Sequence, residues 1–272
     1  MKKLPMLIVL SIVGLAGCRK EMSADANRTI NSDTLYVSPL KKEVSTYIPD
    51  NLENLVYEYQ YDTSRKLISR YGLFRMRDPN GGVVKSEGTR EYVRDAQGRV
   101  ISIKEVGFPV YMTVEYENAA NKVKKIYDNS GRMYIVYLFD AGGHLSKLNY
   151  YERFPTANDD FQLMGYNVYK YNSGGNLTER SFYNDPSGAG NLQLRYQAFF
   201  EHDNKFNPHY SNDYALYPEI WDAPSPNNII RQINIYNGTD RDTINFSFTY
   251  DSLNRPLTSL RNADTETKYY YY

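Results

Sequence analysis

The chain is poor in the residues on which most catalytic and metal chemistry depends. It has one cysteine, one tryptophan and three histidines among 272 residues. A single cysteine excludes an internal disulfide and any paired-cysteine metal site. G-x-S-x-G, H-E-x-x-H and a glycine-rich phosphate loop ahead of a helix are all absent. Lysine plus arginine and aspartate plus glutamate each number 32, so the formal net charge is zero. A nucleic-acid binder would show a basic excess or stripe, and a binder of acidic lipid a polybasic patch; neither is present. No window has the apolar stripe of an amphipathic helix. The expectation is a non-enzymatic protein with no cofactor, no metal and no nucleic-acid partner.

The one long apolar run is at the start. Lys2 and Lys3 precede Leu4 to Val13, followed by Leu15-Ala16-Gly17-Cys18. The run is too short to span a bilayer as a helix and reads as a secretory signal. Small residues just ahead of a lone cysteine resemble a bacterial lipobox, which makes Cys18 the lipidation site and the membrane, through that anchor, a partner. Acyl chains on Cys18 would hold the protein firmly. Residues 1–17 are therefore read as signal peptide and 18–49 as lipidated cysteine and flexible tether.

What the chain has in abundance is tyrosine, 28 residues of it. From Leu55 to Tyr272 the pattern has a period of two. Ile244, Phe246, Phe248 and Tyr250 alternate with Asn245, Ser247 and Thr249, and Val110, Met112, Val114 and Tyr116 with Tyr111, Thr113 and Glu115. This is the signature of half-buried antiparallel strands. Met133 to Phe139 is apolar on both faces and is expected to be the most buried strand. Tyr269 to Tyr272 is expected to complete the last one.

Between strands, Asp or Asn at 62, 95, 118, 128, 140, 172, 203 and 251 is followed three residues later by Arg65, Gly98, Asn121, Gly131, Gly143, Gly175, Phe206 and Asn254. An Asx side chain caps the following amides, and Gly or Asn tolerates the left-handed backbone that closes such a loop. These aspartates are read as turn formers. His144 follows a turn glycine and is read as a solvated turn residue.

One stretch breaks the pattern. Residues 208–228 hold four prolines, Tyr214, Tyr217 and Trp221. Long braced aromatic loops are more often functional than short connectors. Tyr214, Tyr217 and Trp221 are the candidate ligand-binding residues, suited to stacking on sugar rings, unless they only pin the loop to the sheet. His202, Asp203 and His209 are the nearest approach to a metal or catalytic cluster, yet Asp203 also reads as a turn residue. Asp159-Asp160, Glu219 with Asp222, and Glu115 with Glu117 are the carboxylate pairs a glycan hydrolase would draw on, each more simply a solvated face or loop.

The phrases Tyr59-Gln60-Tyr61-Asp62, Tyr171-Asn172-Ser173-Gly174-Gly175-Asn176-Leu177 and Phe248-Thr249-Tyr250-Asp251 resemble the YD repeats of Rhs and teneurin-type proteins, which build continuous β-shells. This chain is short for a large shell and its repeats are irregular. With the lipobox and the segments His202 to Tyr210 and Ser225 to Ile229, it also resembles Bacteroidota lipoproteins of unknown function (family 4595 among domains of unknown function). The resemblance implies an outer-membrane-anchored lipoprotein, facing periplasm or cell surface.

The fold expected is therefore all-β: one domain, residues 50–272, of consecutive antiparallel YD-repeat-like hairpins in an extended twisted or spiralling sheet. The function expected is binding or scaffolding in the cell envelope, with an envelope protein or a glycan as partner. Glycan binding through loop 208–228 is the alternative and envelope glycan hydrolysis a third reading.

Overall fold

A computed structural model describes residues 39–78, 80–109, 111–117, 122–153, 160–185, 190–210 and 225–272. Sixteen strands follow one another: β1 (Leu40–Tyr47), β2 (Leu52–Tyr61), β3 (Leu67–Arg77), β4 (Val83–Arg94), β5 (Val100–Glu105), β6 (Tyr111–Tyr116), β7 (Val123–Asp128), β8 (Met133–Phe139), β9 (Leu145–Arg153), β10 (Phe161–Tyr171), β11 (Leu177–Asn184), β12 (Gln193–Phe206), β13 (Asn227–Tyr236), β14 (Asp240–Tyr250), β15 (Pro256–Arg261) and β16 (Thr265–Tyr271). Each pairs antiparallel with its neighbours in sequence, and β1 pairs with both β2 and β16.

The all-β hairpin chain is as expected, but the sheet is not open. It closes into a sixteen-stranded barrel. The strand that completes the ring is β1, from a segment read as tether, so the sheet begins at Leu40 and not at residue 50. Closure leaves no exposed lateral edge along the paired lengths. Tyr269 to Tyr271 belong to β16 as expected, and their partners are Leu40, Lys42 and Glu43.

Left-handed residues close the turns at Arg65, Gly98, Gly131, Gly143, Gly175 and Asn254. In the 95–99 turn, Asp95 Oδ1 accepts from the amides of Gln97 at 3.0 Å and Arg99 at 2.9 Å, the Asx capping anticipated. Asn118 and Asn121 lie outside the described residues. Asp203 is not a hairpin turn, because β12 runs through it to Phe206. The turn Asp78–Gly82, with Gly81 at φ +85°, went unread.

These turns explain the curvature. In the hairpins β2–β3, β4–β5, β6–β7, β8–β9, β10–β11 and β14–β15 the register slips by one at the turn. Such a bulge bends the strand and sharpens its twist. It also puts residues i and i+3 of the returning strand on one face. Val100 with Ile103, Val123 with Ile126, and Leu145 with Leu148 are all buried to 4% exposure or less. The hydrophobic clock of the sequence thus skips one beat at each such turn.

Directly opposed residues share a face, so the inner face can be followed strand by strand. It runs from Glu43 through Tyr57, Gly72, Gly88 and Tyr92 to Ile103, Met112, Val114, Ile126, Ile135, Tyr150 and Asn167. It continues through Phe182, Arg180, Ala198, Asn234, Ile244, Phe248, Ser259 and Thr267, then returns to Glu43 by way of Tyr269. From β4 to β12 this face is a packed apolar core. From β13 round to β3 it is lined, apart from the buried Ile244, by polar and aromatic side chains and Gly72.

The outer face carries charge. Lys42 meets Glu58 at 2.9 Å, Lys170 meets Glu179 at 2.8 Å and Arg231 meets Glu201 at 2.9 Å, cross-strand pairs whose cations are all exposed. Much of the tyrosine stands here in ladders. Tyr134 stacks on Tyr151 with centroids 4.6 Å apart, and Lys125 Nζ lies 4.0 Å over its ring. Tyr166 and Tyr183 repeat the motif at 4.7 Å, with Lys147 Nζ at 3.8 Å. Ring faces are consumed by neighbours, which holds a one-layered wall stiff. Strand β8, expected to be the most buried, is not: Leu138 is 43% and Met133 36% exposed, and only Ile135 and Tyr137 in it are buried.

Candidate functional site at the barrel mouth

The bulged turns of β2–β3, β4–β5, β8–β9, β10–β11 and β14–β15 share one end of the barrel. Pro39 and Tyr272 meet there too, Tyr272 N donating to Pro39 O at 3.2 Å. Between β12 and β13 the tight turn is replaced by the long loop, of which residues 211–224 lie outside the described residues. Tyr214, Tyr217 and Trp221 fall there, as Cys18 does in the undescribed segment ahead of Pro39.

The two ends of the loop are tied by the residues that supplied the two-part sequence signature. Asp203 Oδ1 accepts from the amides of Lys205 at 2.9 Å and Asn228 at 3.1 Å, and its Oδ2 accepts from the hydroxyl of Tyr250. Burial, then the hydrogen bond and charge of Asp203, hold the Tyr250 phenol well above its usual range. Asn207 donates through Nδ2 to the carbonyl of Ser225 at 2.9 Å. Asn176 and Asn227 bond reciprocally, Asn176 Nδ2 to Asn227 Oδ1 at 2.9 Å and Asn227 N to Asn176 Oδ1 at 3.1 Å. The buried Oγ of Ser225 accepts from Leu177 N at 2.9 Å. The signature is therefore a knot of short polar side chains that fastens a loop base to the β10–β11 and β14–β15 turns.

From this base the chain reaches across the mouth. Asn207 caps the amide of His209 at 3.0 Å, and His209 Nε2 sits 3.1 Å from Glu43 Oε2 on β1. Glu43 is 8% exposed, and its Oε1 accepts from the hydroxyl of Tyr59 at 2.7 Å. The imidazole lies between Tyr59 and Tyr269, with centroids at 6.5 and 6.2 Å. Burial opposes charge on Glu43, but the His209 charge and hydrogen bond, the Tyr59 hydroxyl and Arg70 outweigh it, so its carboxyl sits below the usual range. Burial likewise opposes charge on His209, and Glu43 outweighs it, so the imidazole sits above its usual range. The Tyr59 phenol is pushed far up by burial and by Glu43. Both carboxylate oxygens are engaged, so the cluster acts as a clamp on the loop.

His202, Asp203 and His209 are not brought together. Burial lowers the His202 imidazole to about 4, against the opposing pull of Asp203, while Asp203 is committed to the knot and His209 to Glu43. Glu115 stands on the outer wall of β6 opposite Lys125, and Asp159, Glu219 and Asp222 lie outside the described residues. His144 is a half-exposed turn residue as read, its ring stacked on Tyr171 at 5.1 Å. The residues that sequence reasoning missed are Glu43, Tyr59 and Tyr269. Glu43 stood in a charged stretch with no visible alternation, and nothing local signals that it points inward.

No protein-family model matches the chain, and no curated protein does. Among solved structures it is similar to a porin-like protein from Bacteroides uniformis ATCC 8492, with 12% identity, a TM-score of 0.57 and coverage of 86% of this chain and 98% of that one. A porin-like protein from Bacteroides vulgatus ATCC 8482 aligns at 11% identity over 86% and 99% of the two chains, with a TM-score of 0.46. At such identity the first likeness is one of fold.

Proposed function

We propose that this chain is a non-enzymatic lipoprotein of the cell envelope, held by acyl chains on Cys18, whose barrel stands in water and binds through the mouth at which residues 207–210 and 225–228 are fastened. The charged outer wall supports this reading most. A barrel that crosses lipid presents an apolar band about 25 Å tall with its polar side chains inward. Here Lys42, Glu58, Lys170, Glu179, Glu201 and Arg231 stand outward within the strands, toward the mouth end of the wall, and the larger apolar core lies within. On a lipid-facing wall a Lys or Arg costs from about 0–1 kcal/mol near the interface to about 2–4 kcal/mol at the midplane, so six charged side chains on one wall weigh against insertion. The lipobox then supplies the attachment to the membrane that the wall does not. The barrel likeness to a Bacteroides protein accords with an envelope setting.

Fractionation tests the reading. The wild-type chain is expected in the membrane fraction, and the full chain carrying Cys18→Ser in the aqueous one. Retention of the variant in alkali-washed membranes would mean that the barrel itself inserts.

A second reading assigns the mouth a glycan. A loop whose base is already fixed by Asp203, Asn207, Asn227 and Asn228 loses little entropy when its aromatics engage a ligand. Trp221→Ala is expected to abolish retention on a polysaccharide column without moving the melting temperature. Loss of both together would make Trp221 a packing residue.

A further inference from the structure

At the end of the barrel opposite the mouth, the β3–β4 hairpin outruns its neighbours. Strand β2 pairs with β3 only as far as Phe74, and β5 pairs with β4 only from Arg90 onward. Residues 83–88 therefore bond to β3 alone among the described strands. The carbonyl of Thr89 accepts from Val106 N at 2.8 Å, so the amides and carbonyls of Lys85 and Glu87, two and four residues back, point the same way, toward open solvent. The ribbon is bare on one face as well: Phe74 is 46%, Met76 51% and Val84 50% exposed.

An apolar ribbon with an unpaired edge is a template for strand addition, and the side chains on this edge select the strand. Lys85 and Glu87 flank Ser86 on one face and bridge each other at 2.9 Å. If two such edges meet antiparallel about a two-fold axis at Ser86, Lys85 stands directly opposite Glu87 of the second chain, and Glu87 opposite Lys85. Because both point outward along the edge, these are the hydrogen-bonded pairs of the new ladder, four backbone bonds in all. Val84 then faces Gly88, where the only neighbour in reach of a β-carbon is the Glu105 carboxylate at 3.0 Å, the end of a side chain that can swing aside. The two exposed faces of Phe74, Met76 and Val84 merge into one apolar strip.

We infer that this chain self-associates through the β4 edge, as a two-fold dimer in which Lys85 and Glu87 of each copy pair with Glu87 and Lys85 of the other. Lysine on a bare edge usually deters pairing; here the alternation of sign about Ser86 makes the edge its own complement.

The test is a cysteine cross-link in the purified full chain carrying Cys18→Ser. On the axis, Cα atoms of a non-hydrogen-bonded pair stand about 4.5 Å apart, within disulfide reach. Ser86→Cys is expected to yield a covalent dimer under mild oxidation, at least about tenfold more than Ser130→Cys, an exposed turn control. Adding Lys85→Glu sets like charges opposite each other and should cut the dimer about fivefold. Adding Lys85→Glu with Glu87→Lys should restore it. Circular dichroism confirms that each variant is folded. Cross-linking no greater than the control, or a double reversal that stays as weak as the single one, would overturn the proposal.

Discussion

The imidazole of His209, on the loop leaving β12, donates from Nε2 to Oε2 of Glu43 on β1 at 3.1 Å. The two residues are separated by most of the chain and joined across the mouth of the barrel. Removing one partner of a buried pair strands the other charge, a loss of about 3–5 kcal/mol where both are fully buried. His209 is partly open, so His209→Ala is expected to lower unfolding stability by about 2 kcal/mol, measured by denaturant melts.

The same pair predicts a pH profile. His209 titrates higher in the folded than in the unfolded state, so its contribution is full below about pH 6.5 and fades as pH rises through the folded value. Glu43 titrates lower when folded, so its contribution is present above about pH 4.5 and fades as pH falls through the folded value. The stability difference between wild type and Glu43→Gln should thus peak between about pH 4.5 and 6.5. A difference that is flat from pH 4 to 9 would show that the clamp is not ionic.

Tyr250→Phe takes one donor from the Asp203 carboxylate and leaves the amide bonds from Lys205 and Asn228 in place. An expected cost of about 1–2 kcal/mol falls on the loop base. The readout is faster chymotryptic cleavage between residues 207 and 228, with other sites cut at unchanged rates.

Gly98 closes its turn at φ +76°, and a β-carbon there would collide with Lys66 Nζ. The lysine end can swing aside, but the backbone cannot. Gly98→Ala should cost about 1–2 kcal/mol and Gly98→Asn less, compared by thermal melts.

Ala263 occupies the left-handed region at φ +60° without a side chain that favours it. Ala263→Gly is therefore expected to raise stability by up to about 1 kcal/mol, the strain relieved exceeding the added freedom of the unfolded chain.

The turns were legible because their chemistry is local. Asp95 or Asp251 caps amides within four residues of itself, and the Gly and Asn positions read as left-handed are so placed wherever they are described, at 98, 131, 143, 175 and 254, with Arg65 joining them. Asp203 deceived because its partners, Asn228 and Tyr250, lie 25 and 47 residues away. Closure was illegible for a related reason. Inward Glu43 and Ser45 give β1 a polar inner row, so Leu40 to Tyr47 shows no alternation. What compensates those polar groups comes from Tyr59, Thr267 and His209, residues that only the finished ring brings near. The role of the 202–210 and 225–229 segments was likewise invisible until their side chains met.

The ring is closed by the pairing of β1 with β16, the first strand in order with the last. During synthesis, β1 emerges early and keeps one naked edge until Thr265 to Tyr271 have been made. A chain arrested before β16 would thus carry two open edges and no completed wall. Any machinery that exports or guards this protein must shield those edges for nearly the whole of translation. The reward for full-length synthesis is sudden, because the final seven-residue strand removes both edges in one step.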